Sequence, residues 1–193
     1  MRAVVGFALL LVLAASSGQP VSESGKPAGA QRPDALRVVQ RDEAYELSVP
    51  VSRLVMSIPR GQLVPRSTSV GGATNSPRYF YFVDRAFNLS GWFEPAQKFS
   101  TVRKLWDEET KAWSRNGLPA PMEVSFRKVE GWEVVFYDSP SPVGNNSHLR
   151  AHWVQAGTWI ELHLSMTADR PIAQNREFLE TFLKLILVRE RKP

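Results

Sequence analysis

The chain has 193 residues and a formal net charge of +5, and it contains no cysteine, which excludes disulfides, thiolate metal sites and thiol nucleophiles. Its basic residues are scattered as isolated pairs, so the positive charge does not predict a nucleic-acid interface. Ten Phe, six Trp and four Tyr are ample for one well-buried core, which must be held together by packing alone.

Residues 1–18 have the features of a signal peptide. Arg2 supplies a short basic start, residues 4–15 are almost continuously apolar, and small residues follow them. The apolar run is too short to span a bilayer comfortably, and no other stretch is long and apolar enough. The sequence therefore predicts a periplasmic or secreted protein with no transmembrane span in the mature chain. An uncleaved N-terminal anchor is the alternative.

Two further segments follow the signal peptide. Residues 19–34 are rich in Ser, Gly, Pro and Ala and contain almost no large apolar side chain, which predicts a disordered leader. The remaining residues, 35–193, are expected to form a single α+β domain, because they are too few for two ordinary domains.

The first half of this domain reads as short strands separated by a loop. Alternating apolar residues predict strands at 45–49 and 54–58. Residues 60–78 are rich in Gly and Pro but lack the Gly-Lys-Ser/Thr of a phosphate-binding loop, so we interpret them as a long surface loop. Aromatic and β-branched residues at 79–83, with a second run at 89–93, predict a hairpin.

A helix and two hairpins follow. Residues 96–115 carry an apolar stripe at helical spacing, and the Asn116-Gly117 pair is a typical C-cap that ends this helix. The β-rich runs after it are separated by the tight turns Glu130-Gly131 and Ala156-Gly157, which predict two hairpins. The four runs are 122–129, 132–138, 148–155 and 158–166.

Residues 172–188 predict a closing helix whose apolar stripe is wider than one sheet face would cover. Close packing beneath the strand at 43–49 is the ordinary outcome for such a helix, whereas an exposed part of the stripe would favour a protein partner. The apolar residues that could form such a patch are Phe178, Phe182, Leu185 and Val188, and the basic residues around it are Arg176, Lys184 and Arg189.

The order of the elements contains no βαβ alternation, so it predicts the α+β class, with a mainly antiparallel β-sheet and helices packed on its faces in a three-layer α/β/α sandwich. This order resembles the PsbP-like superfamily of exported α/β/α-sandwich proteins. The resemblance covers most of residues 36–190: early strands ending in Ile58-Pro59, a Tyr- and Phe-rich strand, a helix after Gly91-Trp92-Phe93-Glu94-Pro95, paired hairpins and a closing helix.

The resemblance implies a binding or accessory role rather than catalysis, because its members include photosystem accessory subunits and bacterial envelope proteins. The chain lacks the lipidation cysteine of the lipoprotein members, and the resemblance assigns no site residues.

The last hairpin places several polar residues on one face. With Ala156-Gly157 as a two-residue turn, strand pairs place six side chains on the same face as His148. They are Arg150, His152, Val154, Trp159, Glu161 and His163, with Val154 opposite Trp159, His152 opposite Glu161 and Arg150 opposite His163. This face could be an anion site, a metal site or the polar side of an antiparallel sheet, which is the usual cause of such alternation.

A metal site on this face would need ligands at suitable spacing. His148 and His152 are too far apart along one strand to share an ion, at ~3.3 Å per residue. His152, Glu161 and His163 could supply three ligands, but only with marginal geometry. We therefore expect neither a metal nor a cofactor.

No catalytic signature is present: the chain has no Gly-x-Ser-x-Gly elbow and no His-Glu-x-x-His helix. The sequence thus predicts a non-enzymatic, exported envelope binding or accessory protein that engages a protein partner. The alternative is a small-molecule or lipid-binding carrier, which the aromatic surplus favours. The tryptophans that could line a pocket lie on or beside predicted strands: Trp92, Trp132, Trp153 and Trp159.

Signal cleavage is expected between Ala15 and Gln19, because the small residues there follow the apolar run. Intact-mass measurement on the exported fraction should show a mature chain that has lost this N-terminal segment. A mass that still includes Met1 would instead identify an uncleaved anchor.

Overall fold

The computed structural model describes residues 35–49, 51–66 and 77–191. The predicted signal peptide, the predicted leader and residues 67–76 of the predicted surface loop lie outside these ranges. Within the described ranges, no helix has the length and apolar character needed to cross a membrane.

Strands make up most of the described chain. In chain order, the structure contains β1 (Arg37–Gln40), β2 (Ala44–Ser48), β3 (Leu54–Pro59), β4 (Val64–Pro65), β5 (Tyr79–Asp84), β6 (Phe87–Pro95), a 3₁₀ turn (Ala96–Lys98), α1 (Val102–Arg115), β7 (Met122–Val129), β8 (Trp132–Ser139), β9 (Asn145–Gln155), β10 (Thr158–Ala168), α2 (Ile172–Lys184) and β11 (Leu187–Glu190). They form two antiparallel sheets. The smaller sheet has the order β1-β2-β3-β11, and the larger has the order β4-β5-β6-β10-β9-β8-β7.

The main core lies on one face of the larger sheet. Fully buried side chains of the smaller sheet, such as Leu47 and Met56, belong to the same apolar cluster as Leu162 of β10 and Leu179 of α2. Helix α1 lies on the opposite face, where Val102 and Trp106 pack in a small separate cluster with residues of β8. The larger sheet is therefore covered on both faces.

The predicted three-layer α/β/α sandwich is wrong. A second sheet accompanies α2 on one face of the larger sheet, and the fold is β-rich with two α-helices in its described part. The sequence reading missed the two edge strands that complete this second sheet. β1 is short and exposed, and the first two residues of β11 fall within the predicted closing helix.

Both helices differ from their predicted bounds. Thr101 caps α1 by accepting a hydrogen bond from the Lys104 backbone N–H, so the helix starts six residues later than predicted, after the 3₁₀ turn. Helix α2 ends at Lys184, because the chain beyond Leu185 becomes extended and pairs with β3. The apolar pattern that predicted a longer helix therefore includes residues that belong to a strand.

The stripe of α2 is mostly covered. The rings of Phe178 and Phe182 pack against Phe87, with ring centroids 5.2 and 4.7 Å apart, and Leu179 and Leu183 are fully buried. The basic residues predicted to surround an exposed patch are engaged in ion pairs: Arg176 with Asp138, Lys184 with Glu180 and Arg189 with Glu46. Of the four patch candidates, only Leu185 is highly exposed.

The hairpin predictions are confirmed. Each predicted pair of strands in the larger sheet is present, and the register of β9 on β10 places Trp159 opposite Val154, Glu161 opposite His152 and His163 opposite Arg150. Ala156 and Gly157 both have positive φ, as a two-residue turn of type I′ requires.

Gly91 should be the glycine most sensitive to substitution in the larger sheet. A Cβ there would lie 2.2 Å from the Glu161 carbonyl oxygen and 2.8 Å from the Phe80 ring. We expect Gly91→Ala to lower the free energy of unfolding by about 3 kcal/mol, since backbone and ring must move apart. Gly157→Ala is the control: it meets nothing within 4 Å and should cost only ~1 kcal/mol for its left-handed backbone. Urea unfolding measures both, and equal losses would contradict the close approach at Gly91.

Candidate functional site

A cavity of about 220 Å³ lies between α1 and the larger sheet, and is here called the α1 cavity. Its wall combines charged and aromatic side chains from the helix and from β6, β9 and β10. The charged residues are Glu108, Glu109, Arg150 and Glu161, and the tryptophans are Trp92, Trp106 and Trp113. His152 and His163 complete the polar part of the wall.

The cavity exists because α1 fills only part of the space above the sheet. Its two buried side chains, Val102 and Trp106, lie in the first half of the helix, where they pack on Val135 and Tyr137. Further along, the small side chain of Ala112 faces the cavity, and Trp113 contacts Tyr137 at a ring distance of 5.4 Å. The helix therefore covers the polar face of the sheet without packing tightly against it.

The polar hairpin face predicted from the sequence lies under this helix. Since the register is as predicted, Arg150, His152, Glu161 and His163 share one side of the sheet, and all four line the α1 cavity. The face is not solvated: His152 and Glu161 are buried, and Arg150 is mostly so. Trp159 is buried beside them.

Arg150 is the centre of a buried ion cluster. Its Nη1 donates to Glu161 Oε1 at 3.0 Å, and its Nη2 donates to Glu109 of α1. The side chains of Arg150 and Glu161 are only 12% and 9% exposed. Arg150 Nε is buried and finds no acceptor among the described residues. One hydrogen-bond donor of the guanidinium therefore has no acceptor among the described residues.

Burial changes the protonation of the carboxylates in this cluster. It raises the pKa of Glu161 to about 7, although the nearby Arg150 charge opposes the rise. Burial also raises the pKa of Glu109, again against the effect of Arg150. A single guanidinium therefore does not fully offset the burial of two carboxylates.

The three histidines are neutral at physiological pH. Burial, helped by repulsion from Arg150, lowers the pKa of His148 and His152 to about 3 and that of His163 well below its usual value. Neutral imidazoles can each donate one hydrogen bond and accept another, which suits them to a buried polar network.

His148 and His163 belong to a chain of hydrogen bonds that ends near the cavity. His163 Nε2 lies 3.1 Å from His148 Nδ1 and 3.2 Å from the Tyr137 hydroxyl. His148 Nε2 lies 2.8 Å from Ser139 Oγ, which accepts from Asn146 Nδ2 at 3.0 Å. The remaining member, Thr167, donates to Asn146 Oδ1.

His152 is separate from this chain. It accepts a hydrogen bond from Trp159 Nε1 at 3.2 Å, and the two rings stack. The trio considered as metal ligands, His152, Glu161 and His163, is thus divided among three different sets of partners. Residues 35–49, 51–66 and 77–191 contain no group of three His, Cys, Asp or Glu arranged to hold a metal ion.

Glu109 is the site residue that the sequence reading missed. It follows Trp106 by three residues and precedes Trp113 by four, so it lies within the apolar stripe of α1 rather than on the charged face. A carboxylate inside an apolar stripe was the available signal. Tyr137 was missed as well, because its partners come from other strands.

Comparisons with known proteins add no functional assignment. No protein-family model matches the chain, and no curated protein matches it. The PsbP-like resemblance therefore stays a prediction from the order of elements, and the site has to be interpreted from its own geometry.

Stability should fall as pH decreases from 6.5 toward 3, because unfolding lets the three histidines take up protons. Glu161 acts in the opposite direction: its folded pKa of about 7 exceeds the unfolded value of 4.5, so its contribution is present below pH 4.5 and lost as pH rises through 7. Glu161→Gln removes this opposing contribution to the pH dependence of stability. Between pH 7 and 4.5 the variant should lose stability more steeply on acidification, by at most ~1.4 kcal/mol per pH unit.

Urea unfolding at several pH values between 7.5 and 4.5 measures both slopes. Asp107→Asn, at an exposed position of α1, is the control and should keep the wild-type slope. Identical slopes for wild type and Glu161→Gln would contradict a buried carboxyl group that is protonated near neutral pH.

Proposed function

We propose that the protein is an exported, non-enzymatic binding protein that takes up a small molecule in the α1 cavity. The observation that carries this proposal is the convergence of Arg150, Glu109 and Glu161 on the α1 cavity. Burying charged groups costs several kcal/mol each, and apolar side chains would fill the same space at lower cost. Ionisable groups with shifted pKa values in a cavity are typical of binding and catalytic sites.

The size of the cavity limits the ligand. About 220 Å³ is below the ~300–1,000 Å³ of pockets for drug-sized ligands. It corresponds to about seven water molecules at ~30 Å³ each. The geometry thus favours a small polar molecule over a lipid chain, which would need a longer apolar channel.

The protonation of the site supports binding rather than catalysis. The pKa values of His152 and His163 lie far below neutral pH, so both are weak bases under physiological conditions. Glu161 has a pKa of about 7, but Arg150 already engages its carboxylate. The sequence also offers no nucleophile motif beside these groups.

A protein partner is the second candidate, and one observation favours it. β11 is an edge strand of the smaller sheet, and Leu185 and Leu187 beside and on it are 55% and 63% exposed. Open edges with exposed apolar residues can pair with another chain. The area is smaller than the patch that the sequence suggested, because Phe178 and Phe182 are packed inward.

Native mass spectrometry tests the small-molecule proposal on protein purified without denaturation from the cells that produce it. A reproducible adduct of low mass is expected. Ala112→Phe should abolish it, since a ring at this position would fill the cavity. Ser114→Phe places the same ring on an exposed position of α1 and should leave the adduct unchanged.

An adduct of equal abundance in both variants would place the ligand outside the α1 cavity. Crosslinking on the same preparation covers the second candidate. A reproducible protein partner without any small-molecule adduct would overturn the cavity proposal in favour of the accessory role.

A further inference from the structure

We infer that the ligand of the α1 cavity is a small organic cation, an amine or quaternary ammonium. This inference rests on the proposed function and specifies the chemistry of its ligand. Three features of the cavity wall support it: the balance of charge, the protonation of the carboxyl groups and the aromatic residues.

The charged groups of the wall are unbalanced. Three carboxyl side chains line the cavity, Glu108, Glu109 and Glu161, against the single guanidinium of Arg150. The histidines of the wall add no positive charge, because burial keeps them neutral. A cation entering the cavity would complete the charge balance, whereas an anion would meet an excess of carboxylates.

The protonation of the buried carboxyl groups agrees with this balance. Burial raises the pKa of both Glu109 and Glu161 even though Arg150 contacts each of them. A second positive charge nearby would stabilise their ionised forms. A bound cation would therefore gain two carboxylate partners, and the two carboxylates would gain a compensating charge.

Aromatic side chains supply the second kind of contact for a cation. Trp92, Trp106 and Trp113 all line the cavity. Tryptophan is the aromatic residue that attracts organic cations most strongly, through the negative potential over its ring face. Carboxylates and indole rings around one small space are a combination suited to an ammonium group and its alkyl substituents.

The volume of the cavity limits the size of the cation. About 220 Å³ matches a cation of about seven non-hydrogen atoms.

Choline meets these criteria and serves as the probe, because two molecules of nearly the same shape differ from it in charge. 3,3-Dimethylbutan-1-ol is its neutral carbon analogue, and 3,3-dimethylbutanoate is a negatively charged one. Calorimetric titration of the mature protein, stripped of any resident adduct, compares the three. We expect choline to bind at least tenfold more tightly than the alcohol, and the carboxylate to bind most weakly.

Matched variants identify the groups responsible. Glu109→Gln keeps the size of the side chain and removes its charge, and should weaken choline binding about tenfold while leaving the affinity for the alcohol almost unchanged. Asp107→Asn removes an exposed charge from the same helix outside the cavity wall, and should change neither affinity. Ala112→Phe should abolish binding of every probe that enters the cavity.

Each outcome has a defined meaning. Equal or tighter binding of the alcohol or the carboxylate, abolished by Ala112→Phe, would overturn the cationic ligand and leave the cavity as a binding site. Failure of all three probes to bind would also overturn the inference. The proposed function would then still be decided by native mass spectrometry, through the presence or absence of the low-mass adduct. An undiminished affinity of Glu109→Gln for choline would contradict the role of the carboxylates.

Discussion

The ion cluster of Arg150 with Glu109 and Glu161 is the interaction on which the placement of α1 depends. Arg150 and Glu161 come from neighbouring strands, and Glu109 comes from the helix above them. A charge buried without its partner costs about 3–5 kcal/mol, so each of the three requires the other two. Apolar contacts hold the first half of α1, and this cluster holds the middle of the helix above a space that its side chains do not fill.

The larger sheet makes such an arrangement possible because its two faces differ in chemistry. Along β10, Ile160, Leu162 and Leu164 are fully buried in the main core, while Glu161 and His163 between them face α1. The alternation comes from the two-residue period of a strand, and a slip by one residue would exchange the faces. The apolar face supplies the packing that stabilises the fold, which leaves the polar face available for a binding site.

The sequence predicted local features well and the relation between distant elements poorly. The face shared by Arg150 and Glu161 was predictable, because the two-residue turn at Ala156-Gly157 fixes the register of its hairpin. The second sheet was not, because β11 pairs with β3 across more than 120 residues and continues the apolar pattern of a helix. The burial of the polar face depends on the position of α1. The sequence of α1 gave only one indication of that position, a glutamate among tryptophans.

The hydrogen-bonded chain beside the cavity links the tautomers of two histidines. Nδ1 of His148 and Nε2 of His163 lie 3.1 Å apart, and only one of these nitrogens can carry the proton of the hydrogen bond between them. If His148 donates from Nδ1, its Nε2 accepts from the Ser139 hydroxyl; if His163 donates from Nε2, His148 carries its proton on Nε2 and donates to Ser139 Oγ. A change of tautomer at His163, which forms part of the cavity wall, therefore requires a change at His148 and a rotation of the Ser139 hydroxyl.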